Sequence, residues 1–159
     1  MERPDGTVRV GILGCGHVGS ALVGLLRENR GLIAARAGVH LDVTRVAVRN
    51  VARARDVDLD DGVLTHDAES VVAATDVDVV VELIGGSEGI ARELVEAALK
   101  AGKHVVTANK ALIAHHGTEL ARLAEAKGVA LNYEAAVAGG IPIVKTMRES
   151  LAANEIRSI

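Results

Sequence analysis

The 159-residue chain has almost no aromatic side chains: it contains one tyrosine, Tyr133, and neither tryptophan nor phenylalanine. Proteins that bind single-stranded nucleic acids stack bases on aromatic rings, so the sequence excludes this class. With a net charge of −3 and no stripe of basic residues, it also lacks the electrostatic footprint of other nucleic-acid-binding proteins. The core must be built from Val, Leu, Ile and Ala, which are typical of parallel strands covered by helices.

Cysteine, proline and long apolar runs are scarce as well. The single cysteine, Cys15, cannot form an internal disulfide, and no apolar run approaches the length needed to cross a bilayer. The first five residues lack the charged and then apolar pattern of a signal peptide, so we expect a cytoplasmic protein. The chain has only two prolines, which permits long uninterrupted elements.

Apolar runs with the length of strands alternate with segments of helical periodicity. The predicted strands lie at 8–13, 44–48, 62–64, 78–84, 104–107 and 129–133. Because parallel neighbours need a crossover connection, this alternation predicts an α/β fold with a doubly wound, mostly parallel sheet and helices on both faces.

Three local features add detail to this pattern. Helical spacing of apolar residues predicts that the first helix buries a stripe made of Val18, Leu22, Leu25 and Leu26. We expect residues 30–41 to be an irregular connection, because two glycines interrupt them. We also expect Ser87 to cap the helix that follows the fourth strand.

The strongest local motif is Gly14-x-Gly16-x-x-Gly19, which directly follows a predicted strand and opens a predicted helix. The first glycine allows a tight turn, the second lets a pyrophosphate approach the backbone, and the third lets helix and strand pack closely. The backbone N–H groups of His17, Val18 and Gly19 would bind the pyrophosphate at the positive end of the helix. In this context the motif predicts a Rossmann-type domain that binds a nicotinamide dinucleotide.

The end of the second strand bears on the choice between NADP and NAD. NAD-preferring sites place Asp or Glu there for the ribose 2′-hydroxyl, but this strand ends with Val48-Arg49-Asn50. A guanidinium suits a 2′-phosphate because it binds bidentately and stacks on adenine, so Arg49 favours NADP. Arg53 and Arg55 lie within reach, and we interpret them as part of a solvated loop.

Two further strand ends face the same predicted crevice. After the fourth strand, Gly85 would let the nicotinamide ribose lie against the backbone, and Glu82 is either a buried hydrogen-bonded acid or a site residue. After the fifth strand, Lys110 could hold a substrate carboxylate or orient a carbonyl oxygen. A plain surface lysine would be unfavourable in a first helical turn because of the helix dipole, which favours an active role for Lys110.

Small residues and paired glycines at 134–142 predict a loop whose carbonyls can face a ligand or a cation. His115 and His116 are adjacent on a helix and face different ways, so no zinc site is visible. We interpret Cys15 as structural.

Together these segments are similar to homoserine dehydrogenases over essentially the whole chain. The resemblance lies in GCGHVG at 14–19, VAVRN at 46–50, ELIGG at 82–86, VTANKAL at 106–112 and YEAAVAGGIPI at 133–143. The last two segments are far more specific than the glycine motif.

The resemblance implies NAD(P)H-dependent reduction of aspartate 4-semialdehyde to homoserine, on the route to threonine, methionine and isoleucine. It implies that Lys110 is an active-site residue near substrate and nicotinamide, and that Arg49 contacts the 2′-phosphate. It also implies that a monovalent cation, usually sodium, binds to the backbone carbonyls of Glu134, Val137, Gly139 and Ile141.

In the family, the chain continues into a substrate domain. The resemblance therefore implies that residues 1–142 are the NAD(P)-binding domain and that 143–159 are a connecting helix and the first strand of a missing substrate and dimerisation domain. We expect a homodimer or higher homo-oligomer for the full-length enzyme. For residues 1–159 alone, we expect cofactor binding without turnover.

Two alternatives stay open at this point. Another small-substrate dehydrogenase, such as an aspartate dehydrogenase, is disfavoured by the segments at 107–110 and 133–142. A non-enzymatic dinucleotide sensor would need neither Lys110 at the crevice nor the second glycine loop. The native reading frame distinguishes the sensor from a dehydrogenase. The frame of a sensor would stop after this domain or continue into regulatory modules, whereas that of a dehydrogenase would continue into a substrate domain.

Overall fold

The computed structural model describes residues 6–153 and Glu155. In this part of the chain, six parallel strands form one sheet in the order β3-β2-β1-β4-β5-β6. The strands are β1 (Thr7–Leu13), β2 (His40–Ala47), β3 (Leu64–Thr65), β4 (Val79–Glu82), β5 (His104–Thr107) and β6 (Leu131–Asn132). The strand order reverses between β1 and β4, which defines the switch point of a doubly wound sheet. The predicted fold class is confirmed.

Helices make the crossovers between the strands, except between β2 and β3, where residues 48–63 form turns and irregular structure. The helices are α1 (His17–Glu28), α2 (Arg30–Ala37), α3 (Ala68–Ala73), α4 (Ile90–Lys100), α5 (Lys110–Lys127), α6 (Glu134–Val137) and α7 (Ile143–Lys145). A π-helical segment, Thr146–Ser150, continues α7. The strand predicted at the end of the chain lies outside the described residues, apart from Glu155, and the domain boundary at 142 stays a prediction.

The core is split between the two faces of the sheet. Successive residues of β1 enter different clusters: Ile12 packs with Val23 and Val46, whereas Leu13 packs with residues such as Leu99 and Leu112. All six of these side chains are completely buried. Because side chains alternate across a strand, both faces of the sheet are covered, as a parallel sheet requires. Among the described residues, no helix combines the length and apolar character that a membrane crossing needs.

The first helix buries only part of the predicted stripe: Leu22 packs against the core, but the fully buried residues are others. Gly19, Ser20 and Val23 are buried, whereas Val18 and Leu25 are 63% and 53% exposed. A Cβ on Gly19 would overlap the carbonyl oxygen of Gly14. This close approach of helix and turn fixes the rotation of α1, and it outweighs the hydrophobicity of the side chains.

Two helix boundaries also differ from the sequence prediction. Residues 30–37 form α2, because Gly38 ends this helix as a left-handed cap with φ +73° instead of interrupting it. Ser87 caps no helix, because α4 begins only at Ile90, after Gly89 with φ +71°.

β2 contains one extra residue relative to β1. Val10 pairs with Val43, but Gly11 pairs with Arg45, so Thr44 forms a bulge. The Thr44 hydroxyl donates to the carbonyl of Asp76 at 3.3 Å. Arg45 donates two hydrogen bonds to the Asp76 carboxylate, at 2.9 and 3.0 Å, and these hold the pKa of Asp76 below its ordinary value.

Candidate dinucleotide-binding site

The glycine turn after β1 has the geometry that a pyrophosphate requires. Gly14 has φ +100°, and its N–H donates to Ala47 O at 2.9 Å. A Cβ on Gly14 would lie 3.0 Å from Leu83 O, whereas a Cβ on Gly16 would meet nothing within 4 Å. The space over Gly16 is therefore open to solvent and available to a ligand.

The N-terminus of α1 faces this space with its own partial positive charge. His17, Val18 and Gly19 form the first turn, in which N–H groups have no partner within the helix. Gly16 caps the helix without a side-chain hydrogen bond, and the first turn contains no acidic residue. No acidic side chain in the first turn offsets the positive end of the helix, so an anion is favoured there.

A cleft of about 930 Å³ runs along the carboxyl ends of β1, β2 and β4. Of the predicted cofactor-binding residues, it brings together Gly14, Gly16, Arg49 and Gly85. His17 lines a separate groove along the outside of α1. Lys110 is exposed at the start of α5, after the adjacent strand β5, and is not among the residues that line the cleft.

The arginines after β2 have different surroundings. The Arg49 side chain is exposed and has no hydrogen bond or ion pair with any described residue. Arg55 donates to the carbonyl oxygens of Asn50 and Arg53, both at 2.6 Å, so it folds the loop back on itself. Arg53 also lines the cleft. Arg53, like Arg49, is exposed and its side chain has no hydrogen bond or ion pair with a described residue. Both guanidinium groups are therefore available to an anion near the end of β2, and Arg49 lies closer to the strand in sequence.

Glu82, whose role the sequence left open, is completely buried at the end of β4. Its Oε1 accepts hydrogen bonds from the backbone N–H groups of Ile84, at 2.7 Å, and Gly85, at 3.1 Å. Its Oε2 accepts from the Thr107 hydroxyl at 2.6 Å. Both carboxylate oxygens thus have protein partners, which a buried acid needs.

Asn109 joins the loop after β4 to the start of α5. Its Nδ2 donates to Gly86 O at 2.6 Å, and its Oδ1 accepts from the N–H of Leu112 at 3.1 Å, which caps the helix. Its own N–H donates to the Thr107 hydroxyl at 3.0 Å. Lys110 is the next residue, so this cap sets where its backbone lies.

The sequence analysis missed Thr107 and Asn109 as individual residues of the site. An asparagine directly before a helical segment is a recognisable cap, so this role of Asn109 could have been found. Its second bond, to a carbonyl 23 residues earlier, follows only from the pairing of β4 with β5.

His116 contacts carboxylates and takes no part in a metal cluster. Its Nε2 lies 2.6 Å from Glu88 Oε1, which connects α5 to the segment before α4. The pKa of Glu88 is lowered, first by this hydrogen bond and then by the charges of His116 and Arg92. No group of three or more His, Cys, Asp or Glu side chains among the described residues could hold a metal ion.

The loop after β6 contains a short helix, α6, which the sequence did not predict. Here the Glu134 carboxylate accepts hydrogen bonds from the N–H groups of Val144, at 2.9 Å, and Lys145, at 3.0 Å. Gly139 is left-handed with φ +60°, and the Ile141 carbonyl accepts from Ile143 N–H at 2.8 Å. The Glu134 side chain therefore caps α7, so any cation role in this loop falls to backbone oxygens.

The switch-point cleft, the glycine turn and the uncapped α1 N-terminus define a dinucleotide-binding domain of the Rossmann type. Residues 14–134 match the family model of the homoserine dehydrogenase NAD-binding domain, and the chain belongs to this family.

Solved structures and curated relatives agree with this assignment. A homoserine dehydrogenase from Corynebacterium glutamicum is 47% identical over 158 residues, which are 99% of this chain and 35% of the relative. The crystal structure of a homoserine dehydrogenase from Thiobacillus denitrificans is 51% identical, has a TM-score of 0.85, and is matched over 93% of this chain and 34% of its own.

A hyperthermophilic archaeal homoserine dehydrogenase in complex with NADPH is 27% identical with a TM-score of 0.76, over 92% of this chain and 50% of its own. The present chain spans about a third of the length of the curated relatives it matches.

Proposed function

We propose that this chain is the cofactor-binding part of a homoserine dehydrogenase that reduces aspartate 4-semialdehyde to homoserine, in the biosynthesis of threonine, methionine and isoleucine. The observation that carries the proposal is the cleft, in which Gly14, Gly16, Arg49 and Gly85 lie together. Lys110 follows the next strand of the same sheet edge. Because the chain belongs to the homoserine dehydrogenase family, we infer that this cleft binds the nicotinamide cofactor of that reaction.

The pyrophosphate would lie over Gly16, bound by the N–H groups of His17, Val18 and Gly19. The adenosine half would extend toward the end of β2 and the nicotinamide half toward Gly85, because dinucleotides bind across the switch point. Arg49 favours NADP, since its unpartnered guanidinium can bind a 2′-phosphate bidentately.

The bound nicotinamide would supply the hydride for the aldehyde carbon. Lys110 would contact both cofactor and substrate and would hold the substrate's carboxylate or carbonyl oxygen. Its position at the start of α5 supports this role, because an ammonium group there opposes the helix dipole and gains no stability from it.

Turnover would require residues beyond the cofactor-binding part. The chain spans about a third of its curated relatives, and residues 1–159 by themselves would bind cofactor without oxidising it. Mixing NADPH and aspartate semialdehyde with this polypeptide should give no loss of absorbance above background. Measurable turnover would contradict this part of the proposal.

A monovalent cation, with sodium the first choice, would bind to the backbone carbonyls of Glu134, Val137, Gly139 and Ile141. Backbone oxygens suit a hard cation of this kind. The described residues hold no competing cluster of acidic, histidine or cysteine ligands. A titration of the chain with sodium chloride against choline chloride should raise the melting temperature only with sodium. Equal melting curves in both salts would contradict the site.

For the whole enzyme we propose a cytoplasmic homodimer or higher homo-oligomer acting on a small-molecule substrate. Relatives that are all named homoserine dehydrogenase support the enzyme class. Sedimentation of the full-length enzyme would test the assembly.

The decisive experiment measures the binding of NADPH and NADH to the chain and to Arg49→Ala. We expect about tenfold weaker NADPH binding in the variant, since a charge-assisted pair is lost, and unchanged NADH binding. Arg122→Ala, an exposed arginine of α5, is the matched control and should change neither. Equal losses for both cofactors, or no loss, would contradict the phosphate role of Arg49.

Gly16→Ala tests the pyrophosphate position separately. A Cβ there has no protein atom within 4 Å, so the variant should fold with an unchanged melting temperature. The same methyl group would occupy the space of the pyrophosphate and should weaken the binding of both NADPH and NADH by about tenfold or more. Unchanged affinity would place the cofactor elsewhere.

A further inference from the structure

We propose that Glu82, Thr107 and Asn109 form a positioning network that fixes the nicotinamide end of the cofactor. The network holds the Gly85–Gly86 loop against the start of α5. The inference rests on the proposed function and adds to it three residues that touch neither cofactor nor substrate.

The first step of the argument is the loop itself. Gly85 and Gly86 have φ +85° and +88°, in the left-handed region, and Gly85 lines the cleft. Two successive glycines give a loop many conformations when nothing restrains them. A ribose that lies against this backbone would therefore bind weakly unless the loop is held in one conformation.

The second step is that the network restrains this loop from two sides. From β4, Glu82 Oε1 accepts the N–H groups of Ile84 and Gly85, at 2.7 and 3.1 Å. From α5, Asn109 Nδ2 donates to Gly86 O at 2.6 Å. Three consecutive residues of the loop are thus hydrogen-bonded to side chains that are themselves buried.

The third step is that Thr107 joins these two restraints. Its hydroxyl donates to Glu82 Oε2 at 2.6 Å and accepts the N–H of Asn109 at 3.0 Å. Thr107 is completely buried, and so is Glu82, in the last position of a strand that otherwise reads Val79-Val80-Val81. A buried carboxylate is costly where an apolar residue would fit, which suggests a role beyond packing.

The test compares two ligands on the 159-residue chain. NADPH spans both halves of the cleft, whereas adenosine 2′,5′-bisphosphate occupies only the Arg49 half. Asn109→Ser keeps a hydroxyl that can cap α5 but is too short to reach Gly86 O. We expect NADPH to bind about tenfold more weakly and the bisphosphate to bind within about twofold of wild type, because only the loop loses its order.

Two further variants separate positioning from general damage. Glu82→Ala should also weaken the binding of NADPH but not that of the bisphosphate. Glu82→Gln should keep most of the wild-type affinity for NADPH, because the glutamine carbonyl still accepts hydrogen bonds from the two loop N–H groups. The fluorescence of bound NADPH should move toward that of the free cofactor in Asn109→Ser and Glu82→Ala only. Asn29→Ser is the matched control, because the Asn29 side chain lies between α1 and α2 and, among the described residues, donates one hydrogen bond, to Leu25 O.

The outcomes distinguish this inference from the proposed function. If Asn109→Ser weakens the binding of both ligands equally, or does not weaken the binding of NADPH, the positioning network is overturned. A wild-type chain that binds neither ligand would instead overturn the proposed function.

Discussion

On the β4–β5 side of the crevice, Glu82, Thr107 and Asn109 are buried and hydrogen-bonded. On the β2 side, the guanidinium of Arg49 is exposed and has no partner among the described residues. A satisfied buried network specifies one geometry, whereas an exposed cation stays available to whatever anion arrives. The first side fits the proposed orientation of the nicotinamide ring, and the second fits the proposed recognition of a phosphate.

The largest expected effect concerns the turn that separates these two sides. Gly19→Ala should destabilise the chain by about 3 kcal/mol, because its Cβ would overlap the Gly14 carbonyl oxygen and backbone must move. Gly24→Ala, in the same helix, is the control: its Cβ meets nothing within 4 Å, and we expect a gain of up to about 1 kcal/mol. Urea unfolding measures both, and similar values for the two variants would contradict the close approach.

A smaller effect should distinguish the two sides directly. Thr107→Val preserves side-chain shape but leaves Glu82 Oε2 and the Asn109 N–H without a partner, so we expect a loss of about 2 kcal/mol. Arg49→Ala on the exposed side should change stability by less than about 0.5 kcal/mol. If the two variants unfold at the same urea concentration, the contrast between a restrained and an open side is wrong.

The smallest effect concerns the half-exposed pair of Arg45 and Asp76, whose side chains are 39% and 42% exposed. The pKa of Asp76 is lowered by its hydrogen bond to Arg45, so the pair stabilises the fold above the ordinary Asp pKa. Screening limits this contribution to about 0.5 kcal/mol. The stabilisation is lost as the pH falls below about 3.9 and through the lower folded value.

Asp76→Asn should therefore melt slightly below wild type at pH 7, and the difference should vanish in acid. Asp61→Asn serves as the control, because the Asp61 side chain has no hydrogen bond or ion pair among the described residues. A difference for Asp76→Asn that persists unchanged at pH 2 would show that the ion pair is not its cause.

The sequence predicted those parts of the fold that local signals determine. The bounds of α5 also depend on local signals, the Asn109 cap that was missed and Gly128, which ends the helix with φ +65°. The alternation of strands and helices predicted the sheet, and the glycine spacing predicted the turn. These features depend on residues that are close in sequence.

The features that the sequence did not predict depend on contacts between distant residues. The rotation of α1 is set by the approach of Gly19 to Gly14, which competes with a more obvious apolar stripe. The environment of Glu82 depends on Thr107, which pairing of β4 with β5 brings beside it. Hydrophobic periodicity carries no information on either contact.

The bulge at Thr44 has a consequence for insertions and deletions in β2. Because Thr44 is the extra residue, Val43 and Arg45 already pair with consecutive residues of β1. Loss of Thr44 therefore leaves the placement of Arg49 relative to Gly14 unchanged. Loss of one residue between Arg45 and Arg49 moves the guanidinium by about 3.3 Å and to the opposite face of the sheet. Two deletions of equal length, a few positions apart, thus differ in whether the proposed phosphate recognition survives.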